Sequence, residues 1–401
     1  MDQLIEIEQP VTKGRIQSID LLRGLVMIIM ALDHTRDFFH KEAWTGDPTN
    51  METTTPALFF TRWITHFCAP IFVFLAGTSI WLQARKKSKA ELSSFLITRG
   101  LWLIFIEIIV MNFAFSFDIH FTLIALQTIW SIAISMIILG LLIWLPFEVI
   151  LVAGLLIVFG HNSLDFYEKG LTTPPGVWYD LVHHPGFFHL WGKHNLLILY
   201  PFLSWTGLMM LGYCFGKIVV NADEAQRKKT MLAMGAIIIV FFIVLRATNM
   251  YGDPDPWSKQ KEGLFTVLSF LNTHKYPPSL LYMCMTIGPA LLFLAFFSNA
   301  RNWLTRVISV YGRVPFFYYI LHFYLIHLVC MALFLARGHS IADGTKPSPG
   351  FQPFFTLPGE GYNLWVVYGI WLAIVISLYP LCKWYDKYKS GHKDNKWLSY
   401  L

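Results

Sequence analysis

This chain contains many apolar runs, each about long enough to cross a bilayer as a helix. These runs limit the chain to one kind of architecture. A bilayer core of about 30 Å needs roughly 20 residues of helix to cross it. Ten such runs can be read from the sequence, and the short fifth run forms either a hairpin or a partly re-entrant pair with the fourth. They lie near residues 19–38, 58–83, 95–115, 121–145, 147–160, 196–216, 231–249, 279–298, 314–336 and 364–382. The pattern predicts an all-α, polytopic integral membrane protein with about ten transmembrane helices.

Composition excludes the other common classes of protein. The chain is 55% hydrophobic and only 14% charged, whereas soluble globular domains are close to a quarter charged. A soluble enzyme, a disordered tail and a fibrous protein are therefore excluded, and membrane lipid is an expected contact. The net charge of +6 does not indicate nucleic-acid binding, because the basic excess lies in short loops between apolar runs. The five cysteines include no CxxC pair, which argues against a disulfide framework or a zinc ribbon.

The charges of the loops predict the topology. With the N-terminus in the cytoplasm, the inside segments hold 19 lysines and arginines and the outside segments hold 8. This asymmetry favours ten crossings with both termini inside, because basic loops stay on the cytoplasmic side. No composition shift divides the chain, so a single transmembrane domain is predicted over 1–401, with a cytoplasmic segment at about 1–18 and a basic cytoplasmic tail at 383–401.

The first apolar run carries charged residues at both of its ends. Charges inside a membrane helix are costly and suggest a functional site by default. Arg23 and His34 are eleven residues apart, so on a helix they face the same side with about 16 Å between them along the axis. Asp20 is placed to pair with Arg23. An interfacial arginine and a water-exposed helix end would explain the same residues without chemistry, and we favour the functional interpretation for His34.

A histidine at this position suits a general base. A buried imidazole stays neutral and can take a proton from a hydroxyl or an amine. Asp33 or Asp37 is positioned to orient the second ring nitrogen, as a carboxylate does in hydrolase triads, and Asp37 is the better placed along the helix. A covalent intermediate formed on the histidine is the other route, and the residues do not decide between the two.

The same residues resemble a known group of enzymes. An arginine and a histidine separated by ten residues, on a first helix that begins Ile-Asp-Leu-Leu-Arg-Gly, are similar to the inner-membrane acyltransferase superfamily. The closer resemblance is to the heparan-α-glucosaminide N-acetyltransferase family and its bacterial relatives, over residues 15–40 and 66–80. Residues 273–281 and 312–327 resemble the bacterial branch. The long loops predicted outside the membrane carry little of the resemblance.

The resemblance implies acetyl transfer across a bacterial inner membrane. The donor would be acetyl-CoA in the cytoplasm, and the acceptor would be an amine or hydroxyl of a sugar or glycan outside. The predicted topology places Arg23, with Arg313 as the second candidate, at the inner face, where the CoA phosphates need basic partners. The lysosomal member of the family has its catalytic histidine shortly after the first span, and the nearest counterpart here is His40. His34 is therefore our first candidate for the base and His40 the second. Lys275, within the segment 273–281, is a candidate for substrate binding.

Other polar residues cluster at two further places. Arg62 and His66 are four residues apart and share a helix face, at the predicted depth of His34. They are candidates for substrate binding, although an interfacial arginine and a packed histidine fit equally well. His322 is nine residues from Arg313, so the two would face opposite sides of one helix. This spacing directs His322 to the pocket and Arg313 to the inner interface, with an interhelical hydrogen bond as the alternative role of His322.

Several remaining motifs are assigned to structure. The loop from 161 to 195 holds four closely spaced histidines, His183, His184, His189 and His194, without an HExxH pattern, so no metal is expected. Glu107 and Asn112 are expected to join helices, and Gly212 with Gly216 to mark a close helix contact.

The sequence leaves one rival function and one structural question. A proton-coupled secondary transporter or flippase would use Asp33, His34 and Asp37 as a proton relay, although the internal repeats common in transporters are not evident. The oligomeric state stays open, a homodimer included.

Overall fold

The chain folds into a bundle of apolar helices with one small sheet. The computed structural model describes residues 17–173, 175–346, 352–392 and 398. The helices are α1 (Gln17–Phe39), α2 (Pro56–Thr65), α3 (Cys68–Ala84), α4 (Lys89–Phe105), α5 (Asn112–Ser116), α6 (Thr128–Leu142), α7 (Phe147–Gly160), α8 (Ser163–Lys169), α9 (Val177–Val182), α10 (Phe202–Asn221), α11 (Glu224–Thr248), α12 (Gly263–Leu271), α13 (Leu280–Phe296), α14 (Trp303–Arg313), α15 (Pro315–Ala336), α16 (Ile341–Gly344) and α17 (Leu364–Gly391). A π-helical turn, Ile106–Met111, joins α4 to α5, and the strands are β1 (Leu123–Leu126), β2 (Gly186–Trp191) and β3 (His194–Ile198). The chain is mostly helical with little strand, which confirms the predicted class.

Seven helical segments in the described part of the chain are long and apolar enough to cross a membrane. They are Pro56–Ala84, Lys89–Ser116, Phe147–Lys169, Phe202–Val219, Glu224–Thr248, Pro315–Ala336 and Leu364–Gly391. The other three predicted runs are helices too, but α1 is charged, α6 has 15 residues and α13 has 17. At 1.5 Å per residue, α6 is only about 22 Å long. Ten crossings therefore remain a prediction, and residues 1–16, 393–397 and 399–401 of the predicted terminal segments lie outside the described residues.

The sheet shortens two of the predicted runs. Strand β1 pairs in parallel with β3, and β2 pairs antiparallel with β3, in the order β1-β3-β2. Because β1 occupies Leu123–Leu126, helix α6 begins at Thr128 rather than near residue 121. Because β3 ends at Ile198, helix α10 begins at Phe202 rather than near residue 196. Apolar strands and apolar helices cannot be told apart by hydropathy alone.

Helix α1 lies in the middle of the bundle against α14, α15, α17, α2 and α3. At the crossing with α14, a Cβ atom on Gly24 would collide with the carbonyl of Ile308, and one on Gly312 with the carbonyl of Asp20. Glycine at both positions allows the two backbones to touch. The predicted contact at Gly212 is of the same kind, because its Cα faces the backbone of Phe74 in α3.

Two of the predicted runs are broken. The run 58–83 divides into α2 and α3, with His66 at the C-terminal cap of α2. Helix α14 ends at Arg313, and α15 begins at Pro315 after Val314 leaves the helical conformation. Arg313 and His322 therefore do not share one helix, so the facing argument made from their spacing does not apply.

Candidate functional site

Two adjoining cavities follow one face of α1. The first, which we call the basic cavity, has a volume of about 400 Å³ and is lined by Arg23, Met27 and Met30 of α1. The second, which we call the histidine cavity, has a volume of about 190 Å³ and is lined by Met30, Asp33 and His34. Four residues line both cavities: Met30, Phe72, Thr128 and Tyr319. Arg23 and His34 thus lie on one cavity-lined face, as their spacing predicts.

A carboxylate with several cations occupies the histidine cavity. Asp33 accepts two hydrogen bonds from Arg62, at 2.8 and 2.6 Å. Its oxygens also lie 3.2 Å from Arg36 and 3.9 Å from Lys275, and Arg36 pairs with Asp37 as well. The described lining residues therefore carry three cations against two carboxylates. One positive charge is left in excess, so the cavity favours neutral or anionic ligands.

The partner of His34 is another histidine. His34 Nδ1 lies 2.7 Å from Nε2 of His322, and the phenyl ring of Phe323 packs against the His34 imidazole with 4.0 Å between centroids. On its other side, His322 Nδ1 lies 3.0 Å from the carbonyl oxygen of Tyr318. The expected orienting carboxylate is not found, because Asp33 and Asp37 bind arginines instead.

His40 lies apart from His34. It follows the last turn of α1 and lines a smaller cavity, which shares Asp37 and Trp44 with the histidine cavity. Its Nδ1 accepts a hydrogen bond of 3.4 Å from the backbone of Glu42. Burial lowers the pKa of His40 and keeps it neutral. His40 is therefore a neutral imidazole near the site but outside the cavity that holds Arg62 and Lys275.

Arg62 and His66 are separated by the end of α2. Arg62 lines the histidine cavity, whereas His66 is buried against Tyr282, with 5.4 Å between ring centroids. Nδ1 of His66 has no hydrogen-bond partner among the described residues. His66 is thus not a lining residue, and its position fits the packed-histidine alternative.

Lys275 reaches the histidine cavity from the loop between α12 and α13. Asp253 holds this loop by accepting hydrogen bonds from the backbone N–H of His274 (2.9 Å) and the hydroxyl of Ser279 (2.6 Å). His274 Nδ1 lies 2.7 Å from Asp255. Burial lowers the pKa of His274, but Asp255, Asp253 and the hydrogen bond to the backbone of Tyr276 together raise it above its ordinary value. The loop is thus fixed by charged hydrogen bonds that the sequence spacing does not reveal.

The basic cavity contains more cations than the sequence predicted. Arg23 donates to Ser79 Oγ at 2.9 Å and lies 3.7 Å from Asp20. Arg313 also lines this cavity, paired with Asp386 at 2.7 Å. Two further cations were missed: Arg99 and Lys389. Both belong to long helices whose basic ends were interpreted as topology signals, and no periodic pattern connects them with Arg23.

Asn112 holds the strand β1, and Glu107 bonds the N-terminal end of the neighbouring helix α6. The side-chain amide of Asn112 exchanges two hydrogen bonds with the backbone of Ala125, at 3.1 and 2.6 Å. Glu107 accepts a hydrogen bond of 2.6 Å from the backbone N–H of Gln127. Both Gln127 and Thr128 line the histidine cavity, so the π-helical turn positions one of its walls.

The histidine-rich segment forms a separate cluster. Of the four closely spaced histidines in this segment, His183 has two near partners. Its Nδ1 lies 2.7 Å from a carboxylate oxygen of Glu168, and its Nε2 lies 3.2 Å from Nδ1 of His161. Ligand atoms of Asp165, Glu168 and His183 lie within 4.8 Å of one another. The other three histidines of the segment do not belong to this group.

Apolar helices here enclose a histidine beside a cation-lined cavity. Residues 15–250 match the family model described as heparan-alpha-glucosaminide N-acetyltransferase, catalytic. The match covers more than half of the chain, which therefore belongs to this family of membrane acetyltransferases. No curated protein shows significant similarity to the chain. Lys275, Arg313 and His322 lie beyond the matched residues.

Proposed function

We propose that this protein transfers the acetyl group of cytoplasmic acetyl-CoA to an amine or hydroxyl of a sugar or glycan on the other side of a bacterial inner membrane. The observation that carries the proposal is the pair of adjoining cavities on one face of α1. One cavity offers cations for a phosphorylated donor, and the other offers an imidazole for an acceptor. Their four shared lining residues mark where the two substrates would meet.

The basic cavity suits coenzyme A. Its lining residues include four cations and, among the described residues, no carboxylate: Arg23, Arg99, Arg313 and Lys389. The planar guanidinium group of an arginine can donate two parallel hydrogen bonds to the oxygens of one phosphate. Arg23 and His34 are about 16 Å apart along the axis of α1, which is within the reach of an extended pantetheine arm.

The reaction would use His34 as a general base. The acceptor nitrogen or oxygen attacks the thioester carbonyl, the new C–N or C–O bond forms, and the C–S bond breaks. His34 takes the proton that the acceptor loses and returns it to the departing thiolate. The excess positive charge favours an amine acceptor in its neutral form, because an ammonium ion would be repelled. Positioned base catalysis of this kind contributes about 10²–10⁴-fold in rate.

Purified protein in lipid nanodiscs provides the test. Incubation with acetyl-labelled CoA and glucosamine-terminated oligosaccharides should give an acetylated sugar and free CoA in equal amounts. CoA release without acetylated sugar, or no release with any amine or hydroxyl acceptor, would contradict the proposal. In that case, uptake of labelled sugar into proteoliposomes under a proton gradient would support the transporter instead.

The sidedness can be tested separately. The loop charges support cytoplasmic termini, with Lys229 on the same side. Reporter fusions at Lys229 and at the C-terminus should both give a cytoplasmic signal in a bacterial host. A periplasmic signal from either fusion would overturn the orientation and place the basic cavity on the wrong side for cytoplasmic CoA.

A further inference from the structure

The hydrogen bonds around His322 determine where its proton lies. His322 is fully buried, and it contacts no carboxylate among the described residues. A buried imidazole without a carboxylate partner is more stable neutral than charged. Its Nδ1 lies 3.0 Å from the carbonyl oxygen of Tyr318, which can only accept. Nδ1 of His322 therefore carries the hydrogen, and Nε2 carries a lone pair.

This assignment determines the tautomer of His34. His34 Nδ1 lies 2.7 Å from the lone pair on His322 Nε2, so it must donate the hydrogen bond. A neutral imidazole has one N–H, so Nε2 of His34 is left with a lone pair. No described residue hydrogen-bonds this nitrogen, and His34 lines the histidine cavity. The opposite tautomer would set two lone pairs against each other at 2.7 Å.

The surroundings keep both rings in this arrangement. The ring of Tyr318 stacks on His322 with 5° between their planes. Phe323, the next residue of α15, packs on His34. The accepting carbonyl belongs to the residue four positions before His322 in the same helix, so its direction is fixed by the helix backbone.

We infer that His322 is a positioning residue: it holds His34 in the tautomer whose bare Nε2 faces the acceptor. The catalytic part of this inference rests on the proposed function. When His34 takes the acceptor's proton, its Nδ1–H becomes part of an imidazolium ion. The hydrogen bond to His322 is then charge-assisted and stronger than in the resting state. His322 thus stabilises the transition state more than the ground state, which raises kcat rather than lowering KM.

Two substitutions separate positioning from packing. His322→Phe keeps a planar ring but removes the acceptor, whereas His322→Gln keeps an acceptor at the reach of Nε2. We expect kcat for acetyl transfer to fall on the order of 10²-fold in His322→Phe, with KM for acetyl-CoA little changed. His322→Gln should stay within about tenfold of wild type. Equal losses in both variants with a lowered unfolding temperature, or a normal kcat in His322→Phe, would overturn the inference.

The tautomer of His34 can be measured without an activity assay. In ¹⁵N-histidine-labelled protein, the His34 signals are identified by their loss in His34→Asn. Wild type should show a protonated Nδ1 and an unprotonated Nε2, and His322→Phe should lose this preference. A protonated Nε2 in wild type would overturn the inference even if acetyl transfer occurs. Absence of acetyl transfer with the expected tautomer would refute only the proposed function.

Discussion

Two pairs of touching histidines occur among the described residues, and they differ in what surrounds them. His34 and His322 lie 2.7 Å apart, and the pair opens onto a cavity of about 190 Å³. His161 and His183 lie 3.2 Å apart, and both are buried. The second nitrogen of His161 is buried and has no partner among the described residues.

The second pair has the stronger orienting group. His183 faces the carboxylate of Glu168 at 2.7 Å, whereas His322 faces only the carbonyl of Tyr318. By the usual triad argument, the Glu168 pair would be the better base. Both histidines of this pair are buried, so an acceptor cannot reach their ring nitrogens. The comparison teaches that access and neighbouring charge define a candidate site more than the presence of an orienting carboxylate.

The largest expected effect comes from removing the base. His34→Ala should lower acetyl transfer by about 10²–10⁴-fold, because no other imidazole lines the histidine cavity in the described chain. His161→Ala should leave turnover near wild type and lower the unfolding temperature. Initial rates with saturating acetyl-CoA measure both variants.

His40→Ala is the second control for that prediction. His40 lines only the neighbouring smaller cavity, so its removal should leave most of the turnover. Loss of activity in His40→Ala with normal activity in His34→Ala would assign the base to His40. Normal rates in both variants would favour the transporter.

The second prediction concerns charge beside each pair. Asp33→Asn leaves Arg36, Arg62 and Lys275 with one carboxylate, and should cost about 3 kcal/mol of stability, as breaking a buried ion pair does. Glu168→Gln keeps a hydrogen-bond acceptor for His183 and should cost about 1 kcal/mol. The free energies of unfolding of the two variants can be compared by denaturation in mixed micelles.

A double substitution checks the cause. Adding Arg62→Met to Asp33→Asn should restore part of the stability, because it removes one of the uncompensated cations. If Asp33→Asn is as stable as Glu168→Gln, the cations of the histidine cavity do not depend on Asp33.

The third prediction compares the two cavities. Arg23→Ala should weaken acetyl-CoA binding about tenfold, the effect of one lost charged hydrogen bond, with the fold intact. Arg301→Ala is the matched control, because Arg301 is an exposed arginine that does not line the basic cavity. Calorimetry with acetyl-CoA measures both. Equal affinities would remove Arg23 from the donor site.

The smallest expected effect is a pH dependence at a third histidine, His274. Its pKa is raised, so the stability that it contributes is full below pH 6.5 and is lost as the pH rises through its folded value. The pKa of Asp255 is lowered, so its contribution is present above pH 3.8 and is lost as the pH falls through its folded value. The pair therefore stabilises the Lys275 loop most between about pH 4 and 6.5.

The stabilisation from the His274–Asp255 pair stays below about 1 kcal/mol, because Asp255 is exposed and water screens the two charges. The stability difference between wild type and His274→Gln should shrink when the pH is raised from 6 to 9. The same comparison in an Asp255→Asn background should show little pH dependence. A difference that does not change with pH in wild type would contradict the assigned pKa shift.

Some features of the fold and site could be predicted because they depend on local spacing. The helices follow from apolar runs, since a bilayer requires apolar helix regardless of what packs beside it. The shared face of Arg23 and His34 follows from helix geometry alone. The same approach failed where tertiary pairing overrode hydropathy: Leu123–Leu126 is a strand because β3 offers it hydrogen bonds.

The identity of each polar partner was decided only by the tertiary structure. His34 and His322 are 288 residues apart in sequence, and no periodicity relates residues on separate helices. The carboxylates expected to orient His34 bind Arg36 and Arg62 instead, because buried charges pair with the nearest opposite charge. Arg99 and Lys389 lie near Arg23 because their helices pack around one cavity. The sequence alone determined a helical membrane protein with a charged first helix, whereas packing between distant helices decided which of its polar groups meet.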